Sequence, residues 1–330
     1  MNCFKTGNVL MPLFAFHAML AGCDTRRERF DDEAAWVRVE IDWRQAGICP
    51  EGVSIYVFEQ ETGKKFKVLH TNEMRADSVT VDSLNLHIGR YSLLVFNETE
   101  RSHSNVSFRG TSYYHTFEAC TWPVAKVVTP NVLAAAHVDA FEVTCEMTGR
   151  RRTCPPLLLV PKRLNAIAEV TVHVKSLHYL HVSEQEGALS GLIEGVFLAA
   201  EAPGAASATH YFTLNGRAFY QGSSTDGILK GTLVIFGAAT APSENILSLR
   251  LLLRDMTECL FERNLSGKLP GYGDLPKNHL KFEVGLGTAD DPPIEITRAP
   301  DNNANGIFQV KVDEWGESIS MDVLVDIEGT

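Results

Sequence analysis

The chain has 330 residues, of which 45% are hydrophobic and 22% charged, ordinary values for a globular protein and enough for about two domains. Its formal net charge of -11 argues against a nucleic-acid partner, because nucleic-acid binding needs a concentrated basic face. After the N-terminal segment, no apolar stretch approaches the length of a transmembrane helix.

The first 23 residues have the pattern of a bacterial lipoprotein signal peptide. Lys5 precedes an apolar run over residues 9–20, which has the length of a signal-peptide core and is too short to span a bilayer. The run ends in Leu20-Ala21-Gly22-Cys23, where small residues suit a narrow peptidase cleft and the Cys23 thiol can take a diacylglycerol. We therefore expect a signal peptide over 1–22, cleavage between Gly22 and Cys23, and attachment of Cys23 to the cell outer membrane.

The residues that follow the lipid site are polar and include three arginines, Arg26, Arg27 and Arg29. Such a segment favours a flexible connection, so we expect residues 23–35 to form a tether between the lipid and the folded part.

Alternation of apolar and polar residues predicts strands through the first half of the chain. The first predicted strand covers residues 36–43, with Val37, Val39 and Ile41 on its apolar face. Further strands are predicted at 53–57, 66–68 (after a turn at Thr62-Gly63), 78–86, 91–96, 106–108, 113–117, 141–143 and 157–160. Short strands with turn residues between them are typical of an antiparallel β-sandwich rather than of alternating strands and helices.

The second half repeats the pattern after Pro161, which marks the expected boundary between a domain at 36–160 and a domain at 161–330. Strands are predicted at 168–177, 192–199, 211–214, 231–236, 247–253, 281–284, 294–296, 308–312 and 321–327. Residues 183–188 and 264–278 are predicted as surface loops, and 164–168 as at most one helical turn.

No combination of residues in the sequence forms a recognisable catalytic set. The nucleophile motif Gly-x-Ser-x-Gly is absent, and Gly285-Leu286-Gly287 lacks the third glycine of a phosphate-binding loop. His178 and His181 lie at a predicted strand end, where their spacing sends the two side chains to opposite faces. We therefore expect a protein that is not an enzyme and that needs no metal and no cofactor.

Seven cysteines are present, and five remain after the signal peptide and Cys23 are set aside. Cys145 and Cys154 flank a short polar loop that a disulfide could close in an oxidising compartment, although spacing does not determine connectivity. Because five is an odd number, at least one thiol stays free or pairs between chains.

Four tryptophans are candidates for stacking on carbohydrate rings: Trp36, Trp43, Trp122 and Trp315. Trp43 shares the apolar face of the first strand, which favours packing in the core. Trp36 lies on the polar face and is the better candidate for ligand stacking. Core packing alone also accounts for four tryptophans in two sandwich domains.

Several strands resemble those of the fimbrillin-like lipoproteins of Bacteroidales-type anaerobic bacteria. The resemblance lies in Gly89 with Tyr91-Ser92-Leu93-Leu94-Val95-Phe96-Asn97, in Val106-Ser107-Phe108-Arg109-Gly110, in Gly231-Thr232-Leu233-Val234-Ile235-Phe236-Gly237 and in Phe308-Gln309-Val310-Lys311-Val312-Asp313-Glu314-Trp315. With the lipoprotein signal, these motifs cover most of the mature chain. The resemblance implies two tandem transthyretin-like, Greek-key β-sandwich domains, as in subunits of type V pili.

The resemblance also implies how such subunits assemble. Stalk subunits polymerise after a protease cuts behind an arginine and removes the first strand, and a neighbour's terminal strand then fills the groove. Here Arg26, Arg27 and Arg29 all precede the first predicted strand, and the sequence stops at Thr330, soon after its last predicted strand. We therefore expect a lipid-anchored fimbrial accessory or anchor subunit or an adhesin, whose partners are other fimbrial subunits or host or bacterial surface ligands. The alternative is a glycan-binding surface lipoprotein of a nutrient-uptake system.

Overall fold

The computed structural model describes residues 34–71, 78–97, 105–122, 128–148, 156–183, 185–240 and 243–297. These ranges contain twenty strands and three short 3-10 turns, so the predicted all-β fold is confirmed. No helix in them is long and apolar enough to cross a membrane. The strands are β1 (Ala34–Asp42), β2 (Val53–Glu59), β3 (Lys65–Thr71), β4 (Ser78–His87), β5 (Gly89–Phe96), β6 (Val106–Arg109), β7 (Glu118–Thr121), β8 (Ala134–Val143), β9 (Leu157–Leu159), β10 (Lys162–Arg163), β11 (Ala166–Lys175), β12 (Gln185–Ile193), β13 (Gly195–Phe197), β14 (Ala202–Pro203), β15 (Ser207–Phe219), β16 (Gly227–Ile235), β17 (Ile246–Leu252), β18 (Glu258–Asn264), β19 (His279–Val284) and β20 (Ile294–Glu295).

Two sheets form a sandwich in the first half of the chain. The outer sheet has the strand order β4-β1-β9, and the central sheet has the order β10-β8-β5-β2-β3. Alternation turns Val37, Val39 and Ile41 of β1 inward, where they share one buried cluster with Ile55 of β2 and Leu93 of β5. The predicted hairpin between β2 and β3 is confirmed, and Gly63 adopts a positive φ of 65° in its turn.

The second face of the central sheet is buried too, under a bridging sheet with the order β14-β13-β7-β6. Tyr56 of β2 and Phe96 of β5 pack there with Phe117 and with Val196 of β13. Strands β6 and β7 precede residue 161 whereas β13 and β14 follow it, so this sheet contains strands from both predicted domains. The domain boundary at 161 itself stays a prediction.

Polar contacts reinforce the junction between the two halves. The side chain of Asn165 is fully buried, and its Oδ1 accepts a hydrogen bond from the Leu133 N–H at 2.9 Å while its Nδ2 donates to the Asn131 carbonyl at 2.8 Å. The Arg163 guanidinium donates to the Ala46 and Gly47 carbonyls at 2.6 and 3.1 Å. The bond from the Leu133 N–H is buried, and it satisfies a main-chain donor that would otherwise lack a partner.

The C-terminal sheet has eight strands, in the order β18-β17-β12-β15-β16-β11-β19, with β20 also paired to β11. Inward side chains from these strands form a single cluster, so the sheet folds over a common core. An ion pair joins Arg263 on β18 to Asp291, beyond the end of β19, with Nη1 and Oδ1 3.2 Å apart. Since β18 and β19 are the two edges of the sheet, this pair spans the gap between them.

Most strand pairs are antiparallel, as expected, but three are parallel. Strand β9 runs parallel to β1, and both β19 and β20 run parallel to β11. The first strand also starts at Ala34, two residues earlier than expected, because Ala34 and Ala35 are buried. The prediction of a tether over 23–35 is therefore wrong for residues 34 and 35, which belong to β1.

Other sequence predictions are wrong locally. Residues 113–117 contain a 3-10 turn (Tyr114–Thr116) instead of a strand, because the buried Tyr114 donates its hydroxyl to Asp139 at 2.8 Å. Residues 185–188, predicted as loop, begin β12, where the Gln185 side chain bonds Ser183 and Leu252 main-chain groups. No helical turn forms at 164–168, because residues 166–168 already belong to β11, and β18 was not predicted.

Candidate strand-exchange site

Strand β1 is the first described element of the chain and also the middle strand of its sheet. It pairs antiparallel with β4 from Ala34↔His87 to Asp42↔Ser78, with an irregularity between Val37 and Val39. On its other side, Val39 to Ile41 pair in parallel with β9. If β1 left the sheet, both β4 and β9 would lose the strand with which they pair.

The buried face of β1 is continuous. Ala35, Val37, Val39 and Ile41 expose at most a few per cent of their surface and lie in the sandwich core. Removal of β1 would open a groove between β4 and β9, lined by apolar side chains and by main-chain N–H and C=O groups without partners. Such a groove is what an added strand needs, because backbone bonds supply affinity and alternate pockets supply specificity.

The C-terminal end of β1 is held by a local ion pair. Arg44 Nη2 lies 2.6 Å from Asp42 Oδ2, and the Arg44 N–H donates to Asp42 Oδ1 at 3.0 Å. These hydrogen bonds lower the pKa of Asp42 to about 2, so its carboxylate is charged throughout the neutral range. Trp43 follows and is fully buried, as its place on the apolar face predicted.

The aromatic candidates are spread over different sheets. Trp36 is 47% exposed on the outward face of β1, opposite Asn85 of β4, as its polar-face position indicated. Trp122 is also exposed, but it follows β7 of the bridging sheet. Trp315 lies outside the described residues. Among the described tryptophans, Trp36 is therefore the one that exposes its ring on the outer sheet.

The predicted processing and disulfide residues are only partly covered by the structure. Gly22 and Cys23 lie outside the described residues, and so does Cys154. Cys145 is exposed in the 3-10 turn after β8. Lipidation at Cys23 and a bond between Cys145 and Cys154 stay predictions.

Sequence reasoning missed a charged cluster in the bridging sheet. Arg109 of β6 donates to both carboxylate oxygens of Glu118 on β7, at 2.6 and 2.8 Å, and its Nη1 donates to Glu194 at 2.8 Å. Glu118 is buried, so the bidentate pair compensates a charge removed from water. Burial also raises the pKa of the neighbouring Cys120 thiol to about 11, which keeps it protonated and unreactive. The cluster joins two halves of the chain and has no feature of a reaction centre.

Metal and acid–base candidates do not converge in the described residues. No group of three or more histidine, cysteine or acidic side chains there has the arrangement of a metal site. His178 lies in the 3-10 turn Leu177–Tyr179, just beyond the end of β11, and His181 follows the turn.

Three of the four motif regions that carried the fimbrillin-like resemblance lie in described strands. They form β5 in the middle of the central sheet, β6 in the bridging sheet and β16 in the C-terminal sheet, while residues 308–315 lie outside the described part.

Three solved structures from Bacteroides and Porphyromonas are similar to this chain. A candidate adhesin from Bacteroides ovatus matches with a TM-score of 0.54 and 19% identity, over 83% of this chain and 97% of that chain. A candidate polysaccharide-binding protein from Bacteroides thetaiotaomicron matches with a TM-score of 0.45 and 12% identity, over 75% and 92% of the two chains. A fimbrial anchor protein from Porphyromonas gingivalis matches with a TM-score of 0.45 and 13% identity, over 78% and 95%. The first of these matches confirms the fold.

Among curated protein sequences, none matches the chain. A family model matches residues 22–213, which is more than half of the 330 residues. The chain therefore belongs to the family described as Domain of unknown function (DUF5119).

Proposed function

We propose that this chain is a lipid-anchored, non-catalytic protein of the cell surface that serves as a fimbrial accessory or anchor subunit or as an adhesin. The observation that carries the proposal is the position of β1, the first described strand, which is also the middle strand of the outer sheet. The shared fold with a candidate adhesin of Bacteroides ovatus supports it. Partner subunits would bind along a sheet edge or in the place of β1.

The anchor in this proposal is the lipid on Cys23, at the outer membrane. Ten residues, 24–33, separate Cys23 from the start of β1 at Ala34. Fully extended, they span at most about 35 Å, so the first sandwich would stay close to the membrane.

The arginines of the tether favour an anchor or accessory role over a polymerising stalk. Arg26, Arg27 and Arg29 all precede Ala34, the first residue of β1. A protease that cuts after any of them would release the lipid and leave β1 in its sheet. Such a cut would detach the protein without opening the groove between β4 and β9.

Replacement of Cys23 by serine tests the anchor. We expect the wild-type chain, produced in a Bacteroidales host, to incorporate a palmitate analogue and to fractionate with the outer membrane. The Cys23→Ser variant should incorporate none, because serine has no thiol to take the diacylglycerol. Cys49→Ser, which changes an exposed cysteine of the described part, is the matched control and should label like the wild type. Equal labelling of the Cys23→Ser variant would contradict the anchor, and protection from protease on intact cells would contradict a surface location.

A second candidate function, glycan binding for nutrient uptake, is favoured by the exposed ring of Trp36 on the outer sheet. An indole face can stack on a sugar ring, and its loss removes most of such a contact. If this function is the correct one, a glycan array will show specific binding that Trp36→Ala abolishes. The control is Trp122→Ala, which removes an indole of similar exposure from the bridging sheet. Binding that survives Trp36→Ala would remove the support for this candidate.

A further inference from the structure

Strands β15 and β16 separate at one end of the C-terminal sheet. Their pairing ends at Leu214↔Gly231. Beyond that point, β15 keeps its ladder with β12 and β16 keeps its ladder with β11, but the two strands no longer pair with each other in the described structure. They therefore leave a gap inside the sheet, between residues 207–213 of β15 and 232–235 of β16.

A segment from the first half of the chain fills this gap. Val128 pairs in parallel with Tyr211 of β15. The Thr129 hydroxyl donates to the Val234 carbonyl of β16 at 3.1 Å and accepts a hydrogen bond from the Val234 N–H. Residues 128–131, here called the plug, thus supply to both strands the partners that the strands do not supply to each other.

Asparagine side chains fasten the plug to both halves of the chain. Asn105, just before β6, donates from Nδ2 to the Thr129 carbonyl at 3.1 Å and from its N–H to Asn131 Oδ1 at 2.9 Å. Asn165, just before β11, donates from Nδ2 to the Asn131 carbonyl at 2.8 Å. A change that loosens the plug therefore loosens the junction between the two halves.

His210 lies beside the plug, on the inward face of β15. It is fully buried, and it pairs with Leu189 of β12, a member of the C-terminal core. Its ring is close to the main chain of Val234, the same residue that Thr129 bonds. Val234 is thus the point at which His210 and the plug meet.

The surroundings of His210 suit a neutral ring. Both ring nitrogens are buried, and neither has a hydrogen-bond partner of good geometry. A neutral imidazole carries one N–H donor, whereas the protonated ring carries two donors and a positive charge. The Val234 carbonyl already accepts the Thr129 hydroxyl. A second donor on the ring would therefore add an unpaired polar group in the core, together with the cost of a buried charge.

No carboxylate compensates a positive charge on this ring. Burial lowers the pKa of His210 from its ordinary 6.5 to about 4, and the nearby Val234 main chain opposes this effect in part. The titratable members of the surrounding core are Cys259 and the partly buried Tyr179, which are uncharged at neutral pH. Ionisable side chains on the neighbouring elements are exposed or paired elsewhere, namely Glu186 of β12, Lys230 of β16, Glu244 before β17, and Glu194, which is bonded to Arg109.

We propose that His210 is a proton switch for the plug, which stays in the gap while the ring is neutral and leaves it when the ring is protonated. A charged ring has to reach water, and it does so when the strands beside it part. Because Thr129 and His210 meet at Val234, we expect the bonds of the plug to be lost first. The switch does not depend on the lipid anchor or on fimbrial assembly.

The direction of the pH effect follows from the two affinities for the proton. In the opened state the ring is solvated and has its ordinary pKa of 6.5, whereas in the closed state the pKa is about 4. The opened state binds the proton more readily, so opening becomes more favourable as the pH falls from 6.5 to 4. Between pH 7 and pH 5, this one group should raise the equilibrium constant for opening about twentyfold.

The test measures hydrogen exchange by mass spectrometry on the full chain in lipid nanodiscs at pH 7 and pH 5, with rates corrected for the intrinsic effect of pH. We expect peptides that cover the plug and Val234 to lose protection about twentyfold at pH 5. His210→Leu fills the site with an uncharged side chain, so its protection there should be the same at both pH values. The matched control, His115→Gln, changes an exposed histidine and should behave like the wild type.

A second measurement needs no variant at the switch. NMR titration of the wild-type ring should give His210 an apparent pKa below about 5, and a pKa near 6.5 would overturn the proposal. An equal loss of protection in the wild type and in His210→Leu would also overturn it, as would a loss that is uniform along the chain. If His210→Leu does not fold at pH 7, His210→Gln replaces it, because glutamine is also uncharged at both pH values.

Discussion

Replacement of Phe117 by alanine will lower the free energy of unfolding by about 3–5 kcal/mol, the cost of a large cavity in a packed core. Phe117 is fully buried between the central and bridging sheets. Its ring centroid lies 4.8 Å from that of Tyr56 and 5.6 Å from that of Phe96, both in edge-on arrangements that add to the area buried. No neighbour can fill the space, because these rings are themselves held by strands of the central sheet.

We expect the Phe117→Ala substitution to destabilise both halves of the chain. The cluster around Phe117 includes Val196 and Phe236, which follow residue 161, together with Tyr56 and Phe96, which precede it. Urea unfolding followed by circular dichroism and by tryptophan fluorescence measures the change. Phe66→Ala is the control, because Phe66 is partly exposed on edge strand β3 and should cost about 1 kcal/mol or less. A loss below 1 kcal/mol for Phe117→Ala would contradict the packing described here.

Alternation along the chain predicted the strands that have one buried face. In β1 and β11 the inward residues are apolar and the outward ones are polar except for Trp36 and Ile167, and both strands begin within two residues of their expected starts. Alternation also predicted β2, but it does not show that both faces of that strand are covered, because it assumes a solvated face. In β2, Ser54 and Tyr56 are as deeply buried as Val53 and Ile55, since the bridging sheet packs on their side.

Small residues are the reason why the N-terminal parts of two further strands, β8 and β12, were not predicted. Ala134 and Ala135 begin β8, where small side chains allow the outer cluster and the cluster under the bridging sheet to pack on opposite faces. Gly187 in β12 lies against the Phe212 ring so closely that a Cβ atom would be 2.5 Å from it. Propensity scales count alanine and glycine against a strand, but here close packing requires them.

For the candidate site, the sequence was informative about β1 itself and uninformative about its neighbours. The alternation of apolar and polar residues in β1 is a local feature that can be read directly from the sequence. Its middle place in the outer sheet depends on β9, which pairs Leu157 with Val39 across more than a hundred residues.

Deletion of residues 24–43 will unfold the first half of the chain, make it aggregate, or leave it dependent on a donor peptide. The deletion removes β1, whose Val37, Val39 and Ile41 each contribute about 1.5–3 kcal/mol by burial. Their sum approaches the whole stability of a typical domain, about 5–15 kcal/mol. The backbone groups of β4 and β9 that bond β1 would also lose their partners.

A donor peptide distinguishes an open groove from simple unfolding. Residues 34–43, which are β1 and the buried Trp43 that follows it, supplied as a synthetic peptide, should restore the monomer and its melting temperature. A peptide with serine in place of Val37, Val39 and Ile41 keeps the backbone donors but loses the apolar face, so it should not. The matched deletion of 24–33 removes the tether and leaves β1, and it should melt like the full chain. If the 24–43 deletion instead stays folded and monomeric with unchanged melting, β1 is dispensable and strand exchange at this site is contradicted.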